Sequence, residues 1–213
     1  MRIDVFTLVP HAFAWLTEQR PVSAVLGTSL ELRLFNYRES TPLRAGQVDD
    51  EPYGGGAGMV LRVDVVAAAR EAVYGDTLPK RVIALSPQGR PLTQAVVEEL
   101  AAEDELTLLS ARFEGFDERI VEHLATDAIS VGPYVLSNGD LPAMVVLDAI
   151  ARRLPGALAE GSGELERFSE ELGGGLEYPH YTRPAEFRGW TVPEILLSGD
   201  HAKIEAWRRE QVR

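Results

Sequence analysis

The chain has 213 residues, 45% of them hydrophobic, which suffices for one large domain plus a small second one and leaves no apolar run long enough to span a membrane. Its net charge of −12 excludes broad, non-specific nucleic-acid binding through a basic face. Zero cysteines exclude disulfides and thiolate metal sites and fit a cytoplasmic protein, and His11, His123, His180 and His201 are too scattered to pair as metal ligands.

In chain order, MRIDVFTLVPHAF carries an arginine and an aspartate ahead of its apolar run and reads as a first strand, not a targeting segment. IDVFTLV (3–9) suits a buried strand, and LELRLFNY (30–37) alternates as a half-buried one does. Helical spacing follows at 63–74, an apolar strand-like run at 81–86, helical spacing at 92–103, a strand at 105–111, a helix at 117–125 and a strand at 127–132. The helix at 143–154 stops at Pro155-Gly156. Strands separated by single helices specify an α/β domain over 1–156, with a mostly parallel sheet and covering helices. Residues 157–177, rich in Gly, Ser and Glu, read as an interdomain linker. Residues 178–213 read as a small helical domain whose helix, DHAKIEAWRREQ, is capped by Asp200. That stretch holds six Lys/Arg against five Asp/Glu, so an otherwise acidic chain carries a local basic patch: Arg183, Arg188, Lys203, Arg208 and Arg209.

PYGGGAGM (52–59) places four glycines in five positions. Such a cluster marks close approach of a ligand or backbone, a need for positive φ, or a hinge. A phosphate loop is excluded because Met59, Val60 and Leu61 follow where Lys-Ser or Lys-Thr would stand. A dinucleotide fingerprint is excluded because its third glycine would fall on Met59. In open α/β sheets ligands bind at the carboxyl ends of strands. Three turn-rich segments follow strands here: SPQGR (86–90), ARFEGFDER (111–119) and VGPYVLSNGDLPA (131–143). Each alone is explained by a plain turn. Three on one sheet edge favour a site for a flat heterocycle with a polar tail.

PYGGGAGM, LSPQGRPLTQ, ARFEGFDER, VGPYVLSNGDLPAMVVLDAIAR and YPHYTRP, in this order over nearly the whole chain, resemble the bacterial tRNA (guanine-N1)-methyltransferases. Those enzymes methylate the guanosine just 3′ of the anticodon, position 37, and belong to the SPOUT superfamily of trefoil-knotted methyltransferases. The resemblance implies a deep trefoil knot in the α/β domain, S-adenosylmethionine held in a bent form, a tRNA partner with G at position 37, and a cytoplasmic homodimer with its active sites at the subunit interface. Carried over by motif, Ser86, Pro87 and Gly89 form the first cofactor wall, and Ala111, Phe113, Glu114 and Gly115 the second. Val131, Gly132, Tyr134, Val135, Leu136, Asn138, Gly139 and Pro142 form the third, around adenine and methionine. The family more often has Gly at 111, Tyr at 113 and Gly-Gly-Glu at 138–140. On the substrate side the resemblance implies Tyr53, Gly54, Gly55 and Gly56 beside the guanine, and His180, Arg183, Ser198 and His201 toward the tRNA. Asp50 either reads a base edge or caps a turn.

N1 of guanine carries a proton at neutral pH, so its methylation calls for a carboxylate base and a cation near O6, and for no metal. The family's arginine falls on Arg152, with Arg153 beside it as the alternative; a favourable place at a helix C-terminus explains either without catalysis. The family's base is an aspartate in an Asp-Ser-Phe stretch of the linker, and this chain has no aspartate between Asp148 and Asp200. Alignment on Phe168 puts Glu166 at the base position, counting back from Pro179 puts Ser169 there, and Glu170 and Glu171 stand close by. Glu166 is the expected base. The alternative is a knotted RNA- or cofactor-binding protein with weak or lost methyl transfer. Family members also continue past the WRREQ helix, which implies fewer phosphate contacts here.

Overall fold

The computed structural model describes residues 1–77, 79–158 and 178–211. Glu166, with Ser169, Glu170 and Glu171, lies outside them, as does most of the expected linker. The chain divides into two compact units, Met1–Leu158 and Ala159–Arg213.

The first unit runs β1 (Arg2–Thr7), α1 (Ala14–Glu18), α2 (Val22–Val25), β2 (Glu31–Asn36), β3 (Asp49–Asp50), β4 (Val60–Leu61), α3 (Val63–Tyr74), β5 (Val82–Pro91), α4 (Gln94–Ala101), β6 (Glu105–Leu109), α5 (Glu118–His123), β7 (Asp127–Ser130) and α6 (Asp140–Ala151). Five strands make one parallel sheet in the order β2-β1-β6-β5-β7, flanked by helices. This is the α/β architecture that the strand–helix alternation specifies, because parallel neighbours need crossovers long enough to hold a helix.

Side chains alternate across the sheet. Ile3 and Val5 of β1 and Leu106 and Leu108 of β6 bury on one face, against α1, α2, α4 and α6. Phe6 and Leu109 bury on the other, with Val65, Val66 and Ile120 from α3 and α5. Asp4 lies between Ile3 and Val5, almost wholly buried. Its carboxylate accepts from Arg33 at 2.7 and 2.6 Å and from the Tyr74 hydroxyl at 2.7 Å. Pairing of this kind offsets the cost of burying the carboxylate.

Two boundaries differ instructively from the sequence reading. The helix expected from 143 begins at Asp140, because Pro142 falls in its first turn, where a missing N–H breaks no helical hydrogen bond. The strand expected to end near 86 runs on to Pro91 through a shift of register. The short helices α1 and α2 and the antiparallel pair β3–β4 were not legible in the periodicity.

In the second unit the described elements are β8 (Glu186–Phe187) and β9 (Trp190–Thr191), paired as an antiparallel hairpin, then α7 (Glu194–Leu197) and α8 (His201–Gln211). The unit is therefore not purely helical. Asp200 caps α8, its carboxylate accepting from the Lys203 N–H at 3.2 Å. Among the described residues no helix is long and apolar enough to cross a membrane, and no acid or histidine cluster could hold a metal.

Candidate active site

A bulge within β5 and the loops that follow its neighbours β6 and β7 enclose a cleft of about 670 Å³, solvent mouth included. Every residue expected in the three cofactor walls lines it, with the exception of Gly89. Leu85, Arg112, Ile129 and Ser130 join the lining. Arg112 lies inside the ARFEGFDER motif, and Leu85 and Ile129 are strand-end apolar residues, so each carried a sequence signal that the motif comparison passed over.

The first wall is a bulge within a strand. Leu85 and Arg90 both pair with Ile129 of β7, and residues 86–89 loop out between them. Gly89 closes this bulge against β7: a Cβ there would lie 2.4 Å from the Ile129 nitrogen and 2.5 Å from the Ala128 carbonyl carbon. Its place in the motif follows from that backbone approach, and it stands apart from the lining itself.

The second wall follows β6. Phe113 takes a left-handed φ of 61°, costly for a residue with a side chain. The Gly115 N–H donating to Arg112 O at 3.0 Å and the Glu114 N–H donating to Met59 O at 2.9 Å hold the turn. The third wall follows β7. Ser130 Oγ donates to Gly132 O at 2.9 Å, and the Tyr134 ring folds back so closely over Gly132 that a Cβ there would strike it at 2.2 Å. Val135 is left 87% exposed beside the cleft.

The four-glycine stretch now has a physical account. Gly54, Gly55, Gly56 and Gly58 all have positive φ, which only glycine adopts without strain. A Cβ on Gly58 would also strike the Glu114 side chain. Past the glycines the chain is tied to the second wall: Leu61 N–H donates to Gly115 O and Asp117 N–H to Leu61 O, each at 3.0 Å. The glycine loop thus shares a backbone anchor with the cleft.

Asp50 and Tyr53 line a neighbouring groove with Arg62, Asp64, Asp117 and Arg119. Arg62 spans two acids, donating to Asp50 at 2.8 Å and to both oxygens of Asp64 at 3.0 and 2.8 Å. The hydrogen bonds from Arg62 hold Asp64 below the usual carboxylate range, and those from Arg119 do the same for Asp117. Tyr53 is fully exposed.

Arg152 caps the C-terminal end of α6, whose N-terminal end is at the cleft. Twelve helical residues span about 18 Å, beyond the reach of an arginine side chain. Burial pushes the carboxyl of Asp148, one turn earlier, upward, and Arg152 partly offsets this. Arg153 faces Glu98 at 3.6 Å. In the second unit His180 and His201 line a hollow with Tyr178, Tyr181, Trp207 and Arg208. Arg183 is exposed, and Ser198 Oγ donates to Ile195 O at 2.7 Å and accepts from the Asp200 N–H at 3.1 Å.

The whole chain, residues 1–213, matches the family model described as tRNA (Guanine-1)-methyltransferase TrmD. It is 49% identical to the tRNA (guanine-N(1)-)-methyltransferase of Brevibacillus brevis, over 99% of this chain and 86% of that protein. It is 48% identical to the protein of that name from Oceanobacillus iheyensis, over 99% and 86%, and 46% identical to that from Dehalococcoides mccartyi strain CBDB1, over 99% and 85%. The five ordered motifs, the loops converging at one edge of a parallel sheet and these matches have one meaning: the chain belongs to the TrmD family of tRNA (guanine-1)-methyltransferases.

Proposed function

We propose that this protein transfers a methyl group from S-adenosylmethionine to N1 of guanosine 37 in tRNA, working as a cytoplasmic homodimer. The observation that carries this reading is the meeting of three loops, far apart in sequence, around one cleft. The lining suits that cofactor. Leu85, Ile129 and Leu136 offer apolar surface to adenine, and the loops offer backbone donors and acceptors to its edge. One acid, Glu114, and one base, Arg112, match a ligand that carries a carboxylate together with ammonium and sulfonium charges. When bound, S-adenosylmethionine supplies an electrophilic methyl group.

The chain's own residues do the rest. Tyr53 and the bare backbone of Gly54, Gly55 and Gly56 receive the extruded guanine. Asp50, half-exposed and oriented by Arg62, offers a carboxylate to the base's N–H donors. Glu166 takes the N1 proton, and Arg152 stabilises the charge that develops on O6. His180, Arg183, Ser198 and His201 hold the tRNA. An arginine about 18 Å along α6 from its own cleft serves this chemistry only in the cleft of a second copy, which is the physical argument for the homodimer.

The decisive experiment is a mass spectrum of the nucleosides from a G37 tRNA transcript after incubation with protein and cofactor. N1-methylguanosine is expected; its absence overturns the reading. Glu166→Gln should lower the single-turnover rate by about two to four orders of magnitude, with Glu170→Gln and Glu171→Gln near normal. Normal rates for Glu166→Gln with a slow neighbour would move the base to that neighbour. Arg152→Ala chains mixed with Gly139→Val chains should regain roughly a quarter of wild-type activity, since half of randomly assorted dimers hold one intact site. No recovery would count against the shared site.

A further inference from the structure

We propose that Asp140 is a positioning residue that sets the spacing between the second and third walls of the cleft. Its carboxylate is 2% exposed and does not line the cleft. Oδ1 accepts two hydroxyl hydrogen bonds from the ends of two different strands: from Thr7 of β1 at 2.5 Å and from Ser110, just past β6, at 2.7 Å. Directly before it, the Gly139 N–H donates to Ala111 O at 2.7 Å. These contacts close a ring. Ser110 and Ala111 are consecutive, Gly139 and Asp140 are consecutive, and one hydrogen bond joins each member of the first pair to one of the second. Ala111 and Gly139 both line the cleft, so the ring fixes one wall to the other.

An acid in the first turn of a helix is stabilising wherever it points, and an exposed one serves that purpose at no desolvation cost. Asp140 is instead buried, and its Oδ2 has no hydrogen-bond partner. The surroundings are dry enough that burial, aided by the Asp140 charge, holds the Tyr37 phenol well above its ordinary pKa. Gly139 leaves no slack, because a Cβ there would meet the Ala111 nitrogen at 2.9 Å and Ser110 Oγ at 3.0 Å. The costs of a buried, half-satisfied carboxylate are borne at the one point where two ligand-facing loops must keep register.

The inference rests on reading the cleft as the S-adenosylmethionine site, and its test has one arm that needs no ligand. In the free protein, Asp140→Asn should speed amide exchange at Gly139 by about tenfold while core amides of β1 and β6 keep their protection. The substitution weakens the acceptor and brings two N–H donors to the place of the partnerless Oδ2. Calorimetry with S-adenosylhomocysteine should show Kd rising about tenfold for Asp140→Asn and for Ser110→Ala. Thr7→Val, which removes the bond to a strand that lines nothing, should lower Tm yet leave Kd within about twofold. A purely structural role predicts the reverse: Tm falls in all three variants with Gly139 exchange and Kd unmoved, and that outcome overturns the proposal. If Asp140→Asn does not fold, Ser110→Ala decides by the same two readings. If wild-type protein binds no S-adenosylhomocysteine, the cleft reading fails, and exchange at Gly139 still decides the role of Asp140.

Discussion

The two units of this chain reach order by different physical means. In the first, large side chains such as Phe6, Phe13, Tyr37, Leu106 and Leu108 are wholly buried on the two faces of a parallel sheet. In the second, no described residue is buried. Beside its backbone hydrogen bonds and ion pairs it has contacts of rings and cations: Tyr181 against Trp207 at 6.5 Å, Phe187 against Trp190 at 5.9 Å, and Arg208 over Tyr178 at 4.9 Å. A segment this short cannot bury enough apolar surface to offset its conformational entropy on the scale of the first unit. The same aromatic and cationic side chains that give it local order suit contact with nucleic acid. Burial is concentrated in the unit whose loops form the cleft, and exposed aromatic and cationic side chains in the other.

The comparison is tested hardest in the first core. Leu108→Ala should cost about 3–4 kcal/mol in urea unfolding, because Leu108 is wholly buried and the packed sheet cannot collapse into the void. A loss below about 1 kcal/mol would mean that this core is no more tightly packed than the second unit. Gly89→Ala comes next, at about 2–3 kcal/mol, since its new Cβ meets backbone in β7 that cannot rotate away. Tm is the measurement, and an unchanged value would show that the bulge yields freely.

Trp207→Ala should leave the main unfolding transition unmoved and remove about 1 kcal/mol of local order from the second unit, read as faster amide exchange in α8. A shift of the main transition would contradict the division of labour. Asp148→Asn is the smallest effect. Burial raises the Asp148 carboxyl, so the folded state binds that proton more tightly than the unfolded chain does. Stability from this group is therefore greatest below its unfolded pKa and is lost as pH rises through the folded value. Asparagine should accordingly raise the urea midpoint slightly at pH 7, and the gain should vanish near about pH 3.5, below the ordinary aspartate pKa. A gain that persists in acid would point to a cause other than the buried charge.

The alternation of strand and helix was legible in the sequence because hydrophobic periodicity is local: IDVFTLV and ELTLLSA announce strands, and VDVVAAAREAVY a helix, without reference to any neighbour. The four glycines of PYGGGAGM were equally legible, since positive φ limits the residue type at its own position. Two of the cleft segments, 111–119 and 131–143, hold their Gly, Pro and polar residues directly after strands, as the sequence reads; the third, 86–90, lies inside β5. Other features only the tertiary structure decided. Periodicity does not say which strands pair, and only the folded chain shows β6 inserted between β1 and β5. The β5 bulge depends on β7 lying against Gly89, and the two-residue strands β3 and β4 depend on the anchor at Gly115. Asp140 carries no sign of burial in SNGDLPA. Its desolvation and its bonds to Thr7 and Ser110 arise only when residues 133 and 30 positions away close around it, and such long-range encounters leave no local period to read.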